Sequence, residues 1–207
     1  MDKVLPYEKI LPKELYKDLL KSFLSLSDPN SKPIKITINS KIITYQHAEL
    51  ISKWIDRQEI TDELKSSYEF KLLYRGSRDG LTVDKFHEFC DNIPRTVTIV
   101  KVDDSNEILG GYKPIEWKSN GGYCKTKDSF IFSFNNDEII LSRVMNENNA
   151  IFNSRYHGPS FGEADFHILR SLNNNGYCKK SSYGKSIRKT EENFAIEEME
   201  VFQIMRD

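Results

Sequence analysis

Thr96-Val97-Thr98-Ile99-Val100-Lys101-Val102 is the stretch that decides the fold. Every side chain in it except Lys101 is β-branched, a composition that crowds a helix and fits a pleated sheet. Val97, Ile99 and Lys101 point to one face of such a strand, Val100 and Val102 to the other. Asp103 to Asn106 supplies turn chemistry, and Ile108-Leu109-Gly110-Gly111-Tyr112 returns as the partner strand.

Upstream, Tyr68 to Arg75 reads as another strand, ended by Gly76-Ser77-Arg78-Asp79-Gly80. Thr82 then caps a helix on which Val83, Phe86, Phe89 and Cys90 share one side. A further helix is expected from Tyr45 to about Asp56, capped by Thr44, with Ala48, Ile51 and Ile55 on one face and Trp54 beside them. Ile34, Ile36, Ile38 and the pair Ile42-Ile43 suit short extended pieces. At the start of the chain, Leu11, Leu15, Leu19, Leu20, Phe23 and Leu24 mark a helical face, which the run Ser27-Asp28-Pro29-Asn30-Ser31-Lys32-Pro33 stops. The expected organisation is a helical appendage over 1–33 and a main domain over 40–207.

Downstream the pattern is strand and turn. Phe130 to Phe134 passes through Asn135-Asn136-Asp137 into Ile139 to Val144, a hairpin. Ala150 to Tyr156 and Phe166 to Leu172 are further strand candidates. The last apolar run changes phase between Ile196 and Val201, which predicts a bulge near Glu197-Glu198. Many short strands after a few early helices give an α+β class, with two packed antiparallel sheets forming a β-sandwich.

Composition narrows the function. Thirty basic residues against thirty-one acidic leave a net charge of −1, so no global field draws the chain to nucleic acid or anionic lipid. No apolar run approaches the ~20 residues of a membrane span, and Met1 to Pro6 is not followed by an apolar signal-peptide core. The expectation is a cytoplasmic protein with no membrane insertion and no nucleic-acid partner.

Several blocks together resemble the TLDc domain family. Leu72-Leu73-Tyr74-Arg75-Gly76-Ser77-Arg78-Asp79-Gly80, the helix with Phe86 and His87, and Thr96 to Val102 resemble its opening. Gly110-Gly111-Tyr112, Trp117 and Asp128 to Phe134 are similar to its middle. Gly158-Pro159-Ser160-Phe161-Gly162 through Asp165, then Glu200-Val201-Phe202, are similar to its end, with Phe202 where tryptophan is usual. The blocks keep the family's order over about 40–207; residues 173–189 match poorly. The nearest likeness is to TLDc modules of fungal proteins that carry BTB and BACK domains, neither of which is present in this sequence. The resemblance implies a two-sheet sandwich flanked by helices, a link to oxidative-stress resistance, and binding to the vacuolar proton-pumping ATPase, with no settled catalytic activity. A further reading it implies is an adaptor in a BTB-type ubiquitin ligase system.

Ser77 beside Asp79, with His87 ten residues on, suggests a hydrolase, yet a triad needs Ser–His contact near 3 Å and an oxyanion hole, which spacing does not supply. Four histidines and three cysteines show no zinc-type spacing, so no metal is expected. No glycine pair is followed by a phosphate-loop pattern, and no cofactor is expected. Cys90 belongs to an apolar helix face. Cys124 and Cys178 fall in Gly- and Lys-containing segments where ammonium groups lower a thiol pKa, making them the redox candidates. The basic stretch Lys179, Lys180, Lys185, Arg188, Lys189, with Tyr183 inside it, reads first as a solvated loop, then as a surface for an acidic protein face, and only after these for RNA or anionic lipid, which the neutral total charge disfavours.

The reading that results is a non-enzymatic interaction module binding a protein, by resemblance the catalytic sector of the vacuolar ATPase. Its candidate partner-binding residues are Gly76, Ser77, Arg78, Asp79, Gly80, Gly158, Phe161, Gly162, Asp165 and Glu200, which either line the recognition face or hold it in shape. Glu200 is read either as a buried acceptor or as part of a docking surface.

Overall fold

The computed structural model describes residues 34–135, 138–170 and 175–207. The expected helix within 1–33 lies outside them, as do Leu172 and the tip of the 130–144 hairpin. In chain order the elements are β1 (Ile36–Ile38), α1 (Tyr45–Ile55), β2 (Tyr68–Arg75), α2 (Gly76–Asp79), α3 (Val83–Cys90), β3 (Thr96–Val102), β4 (Ile108–Lys113), β5 (Gly122–Cys124), β6 (Phe130–Phe134), β7 (Ile139–Arg143), β8 (Ile151–Asn153), β9 (His157–Phe161), β10 (Phe166–Leu169), β11 (Asn175–Tyr177) and β12 (Ile196–Arg206). They form a seven-stranded sheet in the order β1-β2-β12-β3-β4-β6-β7 and a five-stranded sheet in the order β11-β10-β9-β8-β5. The result is an α+β sandwich. All strand pairs are antiparallel except β1 with β2, which is parallel at one edge of the larger sheet.

The larger sheet is covered on both faces, and β3 shows why. Val100 and Val102 enter the core between the two sheets, with Tyr74, Phe86, Leu109, Trp117, Phe161 and Phe166. Val97 and Ile99 enter a second core beneath α1, with Ile51, Trp54, Phe130, Phe132 and Phe202. Trp54 meets the phenylalanine ladder of β6 at ring distances of 5.6 Å from Phe132 and 5.7 Å from Phe134. Each large apolar side chain so buried contributes about 1.5–3 kcal/mol. Helix α1 is held by a capping box in which Thr44 accepts from His47 N and His47 returns a ring nitrogen to Thr44 N. Phe202 is fully buried, with its ring 6.1 Å from Phe70.

The two sheets approach closely at Gly111. A Cβ there would stand 2.6 Å from the Phe161 ring, so the absence of a side chain sets the spacing of the layers. Trp117 completes the contact, edge-on to both Phe86 and Phe161, with its indole N–H donating to Thr96 Oγ1 at 2.9 Å. The phase change in β12 is a bulge: Ile196 pairs with Val102 but Glu198 with Lys101. A second bulge, at Leu73 of β2, lies opposite the Val201–Phe202 step.

Candidate functional site

β2 ends at Arg75 and the chain closes at once into the single turn α2, with Gly80 at φ +98° releasing it towards Thr82. The turn is tied down on every side. Arg75 N–H donates to Asp79 Oδ2 at 2.9 Å, and the Arg78 guanidinium grips both Asp79 oxygens at 2.7 Å while also donating to Leu73 O. That guanidinium holds the Asp79 carboxyl below its usual range. The Ser77 N–H donates to Glu198 Oε1 at 3.0 Å and Tyr74 OH to Gly80 O at 2.9 Å. Gly76 is buried, whereas Ser77, Arg78 and Gly80 face solvent. Arg78 and Asp79 are thus paired with each other, the guanidinium half-exposed and the carboxylate largely covered.

Ser77 opens onto a cleft of about 540 Å³ on the α1 side of the larger sheet, shared with Lys41, His47, Lys101, Glu197 and Glu198. Lys41 Nζ reaches Ser77 Oγ at 3.4 Å, and Lys101 Nζ donates to Ser105 O. Among the described residues neither lysine has a carboxylate partner. Burial against Phe134, whose ring lies stacked 4.3 Å away, lowers the His47 pKa.

Glu200 lies beneath this cleft and is wholly buried. Its Oε1 accepts from Arg75 Nε at 2.7 Å and from Lys41 N at 3.0 Å, and its Oε2 accepts from Ser40 Oγ. Of the two readings of Glu200, the buried acceptor is the one found: the residue is no part of an exposed face.

Gly158, Phe161, Gly162 and Asp165 are also buried, in β9 and the turn to β10, and cannot line a recognition face. Asp165 accepts from the N–H groups of Ser181, Ser182 and Tyr183 at 2.8–2.9 Å, which folds the 181–183 segment onto the sandwich. Gly162, at φ +69°, has no room for a side chain because the Asp165 carboxylate fills that place.

A model of the TLDc domain matches residues 36–205. The chain belongs to the TLDc domain family. Among curated proteins none matches it closely enough to count as a relative.

In this TLDc domain the Ser77–His87 pair is not assembled, because the two residues line different clefts. His87 instead meets Asp91, one helical turn on, with Nδ1 2.8 Å from Oδ1, while Nε2 lies 2.8 Å from His157 O and 3.1 Å from Ser154 O. Ser119 Oγ donates to Asp91 Oδ2 at 2.5 Å and lies 3.1 Å from His87 Nδ1. This Ser–His–Asp cluster has the residue types of a triad but not its order. Carboxylate and hydroxyl crowd one ring nitrogen, and the other is spent on two carbonyls, so no carboxylate backs a serine–histidine pair from the far side. The cluster clamps α3 to the 154–157 loop. Asp91 was legible at helical spacing from His87; Ser119, which arrives from the loop after Trp117, was not.

The thiols divide differently from expectation. Cys178 is 1% exposed in the inter-sheet core, and burial pushes its thiol up, opposite to the lowering that its lysine neighbours in sequence suggested. Cys90 is likewise buried and pushed up. Cys124, partly exposed on β5, accepts from Asn153 Nδ2 at 3.0 Å. The same amide accepts at Oδ1 from Lys113 Nζ at 2.8 Å. Lys113 is fully buried over the Trp117 ring, 3.7 Å from its centroid, and burial pulls its pKa down to about 7. No group of three or more His, Cys, Asp and Glu side chains suited to a metal is present among the described residues. No described helix is long and apolar enough to cross a membrane.

Proposed function

We propose that this TLDc domain is a non-enzymatic docking module whose partner is the soluble catalytic sector of a vacuolar proton-pumping ATPase, and that it serves oxidative-stress resistance in the cytoplasm. The observation that carries the reading is the α2 turn, which projects Ser77 and Arg78 to solvent while its backbone is pinned by Asp79, Glu198 and Tyr74. Binding residues are commonly carried on such loops above a rigid scaffold. The adjoining cleft adds Lys41 and Lys101 interspersed with Glu197 and Glu198, a mixed-charge surface suited to a protein rather than to a polyanion. Glu200 supports that surface from inside, through Arg75 and the Lys41 N–H. Nothing in the reading requires a cofactor or a nucleic acid.

The test is binding of the purified chain to purified ATPase sector by surface plasmon resonance. Arg78→Ala and Lys41→Ala, each with an unchanged melting profile, are expected to weaken binding at least tenfold together. Absence of binding by the folded wild-type chain at micromolar concentration sinks the assignment of this partner.

A further inference from the structure

We propose that the open edge of β7, Ile139–Leu141, is a docking site at which an extended, acidic segment of a partner protein adds to the larger sheet as an eighth strand. β7 is the last strand of that sheet. Val144 N–H points inward to Ser129 O, whereas Arg143 O accepts from Gly184 N at 3.0 Å and Met145 N–H donates outward to Ser182 O. Alternation along a strand therefore turns the N–H and C=O of Ile139 and Leu141 away from β6. The 182–185 segment covers the edge only from Ser142 onward. Among the described residues the outward groups of Ile139 and Leu141 have no backbone partner.

Edge strands are usually blunted by a lysine, a proline, a bulge or a covering loop. None of these falls within Ile139–Leu141. A groove runs along each face of the strand instead. One, of about 330 Å³, is floored by Trp54 and Leu141 and rimmed by Ile60 and Ile139, which are 59% and 51% exposed. The other, of about 220 Å³, lies over Ile140 and Ile187. An added strand drops alternate side chains to opposite faces, so its residues fall in turn into the two grooves.

Charge selects the occupant. Lys185 is fixed beside the edge by its backbone, whose N–H donates to Ser142 Oγ at 2.7 Å, and Lys189 borders the second groove. Both are exposed and have no ion pair among the described residues, whereas Arg188 between them is neutralised by Glu107 at 2.9 Å. Arg143 is bound to Trp54 O and the Phe130 ring rather than to a carboxylate. Against these three cations stand Glu59 and Glu138, one at each groove. The basic stretch of the sequence thus has a place in the fold: it flanks a vacant strand position. Apolar side chains facing Ile60 and Ile139, alternating with carboxylates facing Lys189, meet both demands.

The probe is an acetylated valine–glutamate alternating heptapeptide, titrated into the full chain by fluorescence anisotropy and by amide NMR shifts. The same peptide with lysine for glutamate, and a block-ordered isomer, serve as controls. Saturable binding with shifts at Ile139 and Leu141, at least tenfold weaker for both controls, is the expected result. Ile139→Pro deletes an outward N–H while sparing the pairing with β6, and is expected to weaken binding at least tenfold. Should Ile139→Pro fail to fold, Ile60→Asp and Lys189→Glu, both at exposed positions, decide the matter, each with a severalfold loss expected. The proposal is overturned by no saturation at about 1 mM peptide, by equal binding of the lysine peptide, by shifts confined to another surface, or by variants that bind as wild type does. It is also overturned if the unliganded chain dimerises and Ile139→Pro makes it monomeric, since the edge then belongs to a second copy.

Discussion

Arg75 and Glu200 stand directly opposite each other in the β2–β12 register, joined by a 2.7 Å bond from Nε to Oε1, and the carboxylate is wholly buried. The same carboxylate takes Ser40 Oγ and Lys41 N, so one side chain fastens the last strand, the end of β2 and the segment leading into α1. A buried pair of this kind adds little over an apolar isostere, but removing one partner strands the other. Glu200→Ala is therefore expected to cost about 3–5 kcal/mol in urea unfolding. Glu200→Gln keeps an acceptor for Arg75 and is expected to cost less. Equal loss from both would show that the negative charge facing Arg75, rather than shape or a neutral acceptor, is what matters at this position.

The boundary of the folded unit can be tested by truncation. β1 pairs with β2 from Ile36, Arg75 reaches Asn39 O, and Ser40 and Lys41 serve Glu200. A chain beginning at residue 34 is expected to unfold cooperatively at a melting temperature close to that of the full chain. One beginning at residue 44 loses all of these contacts and is expected to melt at least several degrees lower, by calorimetry. A large loss already in the first would place residues 1–33 in the core and overturn the division drawn from the two prolines.

How much of this was legible followed from how local each signal was. β3, the β6–β7 hairpin, the Thr44 and Thr82 caps and the bulge in β12 all announce themselves within a few residues, through β-branching, turn chemistry or a phase change. β5, β9 and β11 did not: Gly122–Cys124 and Asn175–Tyr177 are three residues each, too short for a period, and β9 contains Gly158 and Pro159. The site was less legible still. That Glu200 is buried, that Cys178 is core and that Ser77 and His87 face different clefts depend on which strands become neighbours. β12 lies between β2 and β3 although more than ninety residues separate it from either.

Gly162 and Asp165 form a second internal fastening with a sharp signature. Replacing Gly162 by alanine places a Cβ 1.9 Å from Asp165 Oδ2 at φ +69°, so both the conformation and the space oppose it. A cost of about 2–4 kcal/mol is expected, from left-handed backbone strain and displacement of the carboxylate. Asp165→Asn leaves at least one of the Ser181, Ser182 and Tyr183 N–H groups without an oxygen and is expected to cost a similar amount. The double variant is expected to cost clearly less than the sum, because each change breaks the same contacts. Additive losses in denaturant titrations would separate the two residues.

Lys113 gives the stability of the domain a pH dependence that one substitution isolates. In the folded state burial holds its pKa near 7, while in the unfolded chain the amine titrates at its ordinary 10.5. Between those values the unfolded state binds a proton that the folded state does not, so stability rises as pH rises through the window and is lowest, and level, below about 7. Lys113→Met removes the titration and keeps the stem over Trp117, while Asn153 Oδ1 still accepts from Lys118 N at 3.3 Å. The variant is expected to be at least as stable as wild type at neutral pH. The difference between the two proteins, in which all other titrating groups cancel, is expected to move towards wild type with a slope approaching ~1.4 kcal/mol per pH unit. Urea midpoints measured for both between pH 7 and pH 10 check this. A difference that stays flat would mean that Lys113 keeps its proton in the folded protein, held by the indole face and Asn153 more strongly than burial expels it.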